Sequence, residues 1–148
     1  MNKKILIING PNLNLLGDRE PEVYGNETLD DIKNLCEKKG KDLSLDIDFT
    51  QSNDEGEIVE SIQNAKKKFS GIIINAGALT HTSISILDAL LSTKLPIIEV
   101  HLSNIFTREA FRKESFVSKA AKGIICGFGS KSYDLALEAI STLLKGKN

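Results

Sequence analysis

Short apolar runs alternate along the chain with longer stretches in which apolar residues return every three or four positions. Residues 5–8 form the first run. Residues 43–49 alternate apolar and polar, as a strand exposed on one face would. Residues 71–75 are continuous and β-branched up to Asn75, the pattern of a strand buried on both faces. Residues 96–100 and 123–127 complete the predicted strands. The intervening stretches have helical spacing. Thr28 can cap a helix with apolar positions at Leu29, Ile32, Leu35 and Cys36, and Ser52 with Glu55 fits a capping box ahead of Ile58, Ile62, Ala65 and Phe69. A third helix is predicted over about residues 82–92, and a last one carries Tyr133, Ala136, Leu137, Ile140 and Leu144. Repeated strand–helix alternation implies parallel strands joined by right-handed crossovers. The expected fold is therefore α/β: an open, doubly wound sheet of five parallel strands in the order 2-1-3-4-5, forming a single domain over residues 1–148. The alternating second strand suits the edge of such a sheet. A closed eightfold barrel needs about 250 residues, more than this chain has.

In an open parallel sheet, ligands bind outside the carboxyl ends of the strands. The segments at those ends are Asn9-Gly10-Pro11-Asn12-Leu13-Asn14, Asn75-Ala76-Gly77-Ala78-Leu79-Thr80-His81 and His101-Leu102-Ser103-Asn104. They hold both histidines of the chain and a concentration of amide side chains, centred on Asn12, Asn75 and His101. Asn and Thr also serve turns and helix caps, and for any one Asn that reading suffices. Two histidines beside strand ends point further, to a site. Residues 15–25 follow directly on the first of these turns, with no helical period, and the expected lid covers about residues 18–25. Connections between strand and helix usually take about 2–6 residues; this longer one carries Arg19 and Tyr24 and is read as a lid.

Composition narrows the function more than the fold. The chain is 41% hydrophobic and 26% charged, with a formal net charge of −1, so it lacks the basic footprint of a nucleic-acid or anionic-membrane binder. No apolar run reaches the roughly 18 residues of a membrane span. The apolar run near the start ends at Asn9-Gly10-Pro11 and reads as a strand rather than a signal peptide, so a cytoplasmic location is expected. Cys36 and Cys126 are far apart within apolar patterns and are expected to be buried free thiols. Neither a G-x-x-x-x-G-K-[ST] nor a G-x-G-x-x-G phosphate loop follows the first strand, and no G-x-S-x-G elbow is present. Gly127-Phe128-Gly129 reads as a tight turn into the last helix. His81 and His101, with no cysteine near either, make a poor zinc site. The Lys66-Lys67-Lys68 run is a solvated helix end that complements the helix dipole.

The strand-end segments, taken with blocks elsewhere, resemble the type II 3-dehydroquinate dehydratases over nearly the whole chain. The resemblance is carried by residues 9–17; by Arg19-Glu20-Pro21 with Tyr24-Gly25; by Gln51-Ser52-Asn53 with Glu55-Gly56; by Asn75-Ala76-Gly77 with Thr80-His81-Thr82-Ser83; by Asp88-Ala89; by residues 99–104; and by Arg108-Glu109 with Phe111-Arg112. Two positions depart from the family pattern. Leu87 stands where members often carry Arg, which bears on subunit contacts, and Gln63 where some carry His. The resemblance implies a lyase of the shikimate pathway that removes water from 3-dehydroquinate, anti, through an enolate, with no metal, cofactor or Schiff base.

The resemblance also assigns roles. Tyr24 would take the proton α to the ketone. A free tyrosine has a pKa of about 10, so forming its anion near pH 7 costs about 4 kcal/mol. Arg19 on the same loop, with Arg112 as a second candidate, would lower that cost, because a nearby cation favours the phenolate. Asn12 would steady the enolate oxygen. His101 would protonate the departing hydroxyl, as a side chain that titrates near neutrality can. Glu99 lies two residues earlier on the same strand, hence on the same face, and would orient the imidazole. Leu102 and Ser103 would hold the substrate carboxylate, Asn75, His81 and Arg112 its hydroxyls, and Asp88 would reach a neighbouring subunit's site. Apolar residues at 84, 86, 87, 90 and 91 are more than one helix stripe requires, which agrees with the family's trimers assembling into dodecamers. The competing readings are a flavodoxin-like nucleotide or flavin binder without catalysis, and a scaffold subunit that has lost activity. The Arg19–Tyr24 lid and the intact set Asn12, Arg19, Tyr24 and His101 argue against them.

Overall fold

The computed structural model describes residues 1–18, 22 and 25–146. Five parallel strands form one sheet in the order β2-β1-β3-β4-β5, as the alternation of elements predicts. The strands are β1 (Lys3–Asn9), β2 (Leu45–Gln51), β3 (Gly71–Asn75), β4 (Ile97–His101) and β5 (Gly123–Cys126); the helices are α1 (Leu29–Asp42), α2 (Glu55–Lys68), α3 (Ile84–Thr93) and α4 (Lys131–Lys145).

Side chains of a strand point alternately to the two faces, and β1 shows how that builds two cores. Ile5 and Ile7 pack with Ile32 and Cys36 of α1 and Tyr133, Ala136, Leu137 and Ile140 of α4. Leu6 and Ile8 pack with Ile58, Ile62 and Ala65 of α2 and Ile86, Ala89 and Leu90 of α3. β3 and β4 are buried throughout, while β2 alternates at its edge. Glu99 and His101 thus sit inside a buried strand, on the α2–α3 face. The buried part of that face is otherwise apolar, so a charge placed there needs a partner.

Helix starts follow the capping chemistry with two corrections. Thr28 caps α1 in a reciprocal capping box with Asp31. At α2 the cap is Asp54, whose side chain accepts from the Glu57 amide, and not Ser52 with Glu55. Ser52 instead donates to the Glu57 carboxylate at 2.6 Å and accepts from the Asp54 amide, bracing the turn one residue pair earlier. The third helix begins at Ile84, capped by Ser83, rather than near residue 82, because residues 77–81 close a 3-10 turn first. Both cysteines are free as expected, but only Cys36 is fully buried; Cys126 on the edge strand is partly exposed.

The sheet positions the site by bringing the ends of β1 and β3 very close. The amide of Gly10 donates to the Asn75 carbonyl at 2.8 Å. A Cβ at Gly10 would lie 2.3 Å from the Ala76 carbonyl oxygen, so a side chain there would force the two turns apart.

Candidate active site

At the carboxyl end of the sheet, a pocket of about 130 Å³ is lined by Asn12, Asn75, His81, His101, Leu102, Ser103 and Arg112, together with Pro11, Leu13, Leu16, Gly77, Ala78, Ile105 and Arg108. It lies below the roughly 300–1,000 Å³ of a drug-sized site, which suits a small polar metabolite. Each wall is held by local chemistry.

The β1 wall turns at Asn12, which adopts a left-handed backbone with φ 70°, a conformation Asn tolerates better than most residues. Its amide donates to Asn53 Oδ1 at 3.0 Å. Asn53 also accepts from Gln51 Nε2, and Gln51 reaches the Gly10 carbonyl. The loop after β2 thereby fixes the backbone that presents Asn12.

Asn75 ends β3 and is almost fully buried. Its Oδ1 accepts from the Gly77 amide, and its Nδ2 donates to the hydroxyl of Tyr133 at 3.0 Å. That hydroxyl donates in turn to Asn9 Oδ1 at 2.6 Å, and Asn9 Nδ2 donates to the Thr50 carbonyl. Burial pushes the Tyr133 phenol well above its ordinary range, so it remains a neutral donor. The sequence shows Tyr133 only as an apolar position of the last helix; its polar end, which aligns Asn75, has no sequence signal of its own.

His81 closes the 3-10 turn after β3. Its Nδ1 lies 2.6 Å from the Glu114 carbonyl. A carbonyl only accepts, so Nδ1 carries the proton and Nε2 is the other nitrogen of the ring.

His101 lies in the floor, with Glu99 behind it. His101 Nε2 lies 2.5 Å from Glu99 Oε2, which places the carboxylate where same-face alternation along β4 predicts. Glu99 is fully buried. Burial alone would raise its carboxyl; hydrogen bonds from His101 and Ser118, the charge of His101 and a hydrogen bond from Ser115 outweigh it and hold the group below its usual range. Ser115 Oγ is 2.7 Å from Oε2, and the Ser118 hydroxyl donates to Oε1. Neither serine is marked by any period in the sequence.

The remaining wall is the segment after β4. Asn104 caps its first 3-10 turn through the Phe106 amide, and the Gly129 amide binds the Leu102 carbonyl. Arg112 stacks on Phe111, with Cζ 5.3 Å from the ring centre, and its Nε lies 3.3 Å from Glu109. Arg108, quoted in the sequence only as part of a block, also lines the pocket. Two guanidinium groups give the pocket a cationic wall beside its amide and imidazole side chains, suited to an anionic, hydroxylated molecule.

Seven of the residues expected at the site therefore converge on one pocket, with Glu99 directly behind His101. Asp88 does not line it; it is exposed on α3. Arg19 and Tyr24 lie outside the described residues, as does most of the expected lid over 18–25.

Comparison with known proteins identifies the family. The sequence model of the family described as dehydroquinase class II matches residues 3–141. A 3-dehydroquinate dehydratase from Prochlorococcus marinus (strain MIT 9215) is 61% identical over 144 residues, which cover 97% of this chain and 98% of that protein. One from Phenylobacterium zucineum is 51% identical over 145 residues, 98% of this chain and all of that protein. The crystal structure of type II dehydroquinase from Propionibacterium acnes superposes with a TM-score of 0.92 at 43% identity, covering 96% of this chain and 98% of that one.

Proposed function

The chain belongs to the class II dehydroquinase family, and from that premise we infer how its pocket removes water from 3-dehydroquinate in the shikimate pathway. The observation that carries the reading is His101, backed by Glu99, in a strand-end pocket that also holds Asn12 and Asn75.

In this reading Tyr24, as its phenolate, takes the proton α to the ketone, and the electron pair moves onto the carbonyl oxygen to give an enolate. Arg19 favours the phenolate, with Arg112 as a second cation. Asn12 stabilises the enolate oxygen, through a donor set in place before charge develops. The enolate then re-forms the ketone as the β-hydroxyl leaves, and His101 supplies the proton that makes the leaving group water. The product is the conjugated enone, 3-dehydroshikimate. The elimination is anti, which asks base and acid to act from opposite faces of the substrate.

The hydrogen bonding of His101 selects the nitrogen. With Nε2 committed to Glu99, the proton for the leaving group comes from Nδ1, and the neutral imidazole that remains keeps its Nε2–H on the carboxylate. The leaving hydroxyl and the carboxylate of 3-dehydroquinate share one carbon. Ser103, two residues from His101, and the adjacent Leu102 are therefore in the right place to hold the carboxylate through backbone and hydroxyl donors. Asn75, His81 and Arg112 hold the other hydroxyls. Arg19 and Tyr24 stand five residues apart in one segment, so base and activator come to the substrate together.

Asp88 serves a neighbouring subunit's site in a dodecamer of trimers. The support is that Ile84 and Leu91 leave an apolar patch exposed on α3 beside Asp88. No helix among the described residues is long and apolar enough to cross a membrane, and a cytoplasmic location suits a biosynthetic lyase of this kind. The test is direct: incubate the protein with 3-dehydroquinate and follow the ultraviolet absorbance of the enone. Rapid growth of that band, lost in Tyr24→Phe, supports the reading; full turnover in Tyr24→Phe removes Tyr24 as the base.

A further inference from the structure

The His101–Glu99 pair does not stand alone, and the segment that completes it comes from outside the pocket. Glu99 is buried within β4. An isolated carboxylate there would take up a proton rather than stay charged. Three donors converge on it: His101 Nε2 and Ser115 Oγ on Oε2, and Ser118 Oγ on Oε1.

The Ser118 amide donates to Ser115 Oγ at 3.0 Å. A hydroxyl oxygen can accept and donate at once, and the Ser115 hydroxyl donates to Glu99 Oε2 at 2.7 Å, in keeping with a carboxyl held below its usual range. The same segment is stitched to the opposite wall. The Phe116 amide donates to the Thr80 carbonyl, and the Glu114 carbonyl receives His81 Nδ1. Residues 114–118 thus set the orientation of both histidines.

We propose that Ser115 and Ser118 are positioning residues for the dehydration: their hydroxyls keep Glu99 ionised and facing His101 Nε2, so that the imidazole holds one tautomer and presents its acidic proton from Nδ1. This rests on the reading of His101 as proton donor. The charged or titratable groups around the pair are His81 on the turn after β3, and Arg108 and Arg112 across the pocket. On the elements packed against this face, Asp88 of α3 and Lys119 beside Ser118 are exposed to solvent, and Glu99 takes its charge interaction from His101.

The test is the pH dependence of kcat and KM for Ser115→Ala, Ser118→Ala and Ser118→Thr, with His101→Ala alongside. Ser115→Ala should lower kcat by about tenfold, the scale of one hydrogen bond to a charged group, while KM stays within about twofold, as expected when the lost interaction matters in the transition state. The alkaline limb of the kcat profile should move to lower pH, because a Glu99 carboxylate no longer held facing His101 pairs less closely with the imidazolium. A purely structural loss would reduce the amount of active enzyme and leave that limb in place. Ser118→Ala should act in the same direction but less, since Ser118 is otherwise exposed and water can replace its hydroxyl; Ser118→Thr should restore both amplitude and limb. If Ser115→Ala does not fold, the Ser118 pair decides the matter by the same limb. Parental kcat and pH profile in the alanine variants would overturn the proposal. An inactive His101→Ala beside parental serine variants leaves His101 as the donor and removes only the serines; a fully active His101→Ala removes the donor itself.

Discussion

Tyr133→Phe removes one oxygen from a fully buried residue and should cost far more than its size suggests. Phenylalanine keeps the ring, its contact with Phe49 and the packing of α4 on the sheet. What is lost is the link between Asn9 and Asn75, both almost or wholly inaccessible to water. Asn9 Oδ1 loses its donor and one Asn75 N–H loses its acceptor. A buried polar group left unpaired costs about 1–3 kcal/mol. Two such groups, allowing for some relaxation, give a destabilisation of about 2–4 kcal/mol. Against a typical domain stability of about 5–15 kcal/mol this is large, and for a chain of this size it lowers Tm by about 4–16 °C. Denaturant unfolding followed by circular dichroism reads it, at fixed protein concentration so that assembly contributes equally to both proteins. Asn75 also loses the bond that aligns it over the pocket, so kcat/KM should fall as well. A double variant with Asn9→Val should lose less than the sum of the single changes, because removing both partners leaves fewer orphaned groups. Tyr133→Phe within about 0.5 kcal/mol of the parent, the range of an ordinary surface substitution, would refute this account of how Asn75 is held.

Two further consequences follow from the charge states. Glu99 is held below the usual carboxylate range despite its burial. A group whose folded-state pKa lies below its unfolded value, about 4.3 for Glu, stabilises the fold above that value and loses the contribution as pH falls through the folded-state pKa. Unfolding free energy measured across acidic pH should therefore fall less steeply in Glu99→Gln than in the parent; equal slopes would remove Glu99 from the acid transition. Burial raises the Cys36 thiol to about 12, with Asp134 and Glu37 adding to it, so it has almost no thiolate near neutrality. In the native protein iodoacetamide should label Cys126 well before Cys36, as peptide mass mapping would show; comparable labelling of both would mean that α1 opens readily.

Much of this molecule is legible in its sequence because the relevant signals are local or periodic. The unbroken Ile72-Ile73-Ile74 run marks a strand buried on both faces, and the alternation ending at Phe49 marks the edge. Glu99 and His101 fall on one face by simple counting along β4. The misses share another cause. Ser52 and Asp54 both carry cap-forming oxygens within one turn, and only the three-dimensional path of the chain decides which serves α2. Tyr133 reads as core because its ring is core; the hydroxyl reaches polar partners 124 and 58 residues away. Ser115 and Ser118 lie in an aperiodic stretch, and their buried target is 16 and 19 residues away along the chain. Long-range polar contacts leave no period, so composition and spacing pass over them.

The central claim is that the strand-end pocket is where 3-dehydroquinate loses water, with His101 giving the proton. The most direct measurement is steady-state turnover of 3-dehydroquinate by the parent and by His101→Ala, each shown to be folded by circular dichroism. The account predicts rapid enone formation by the parent and a loss of about 100-fold or more in kcat for the variant, the range expected for a general acid. Equal turnover by the two proteins would contradict it.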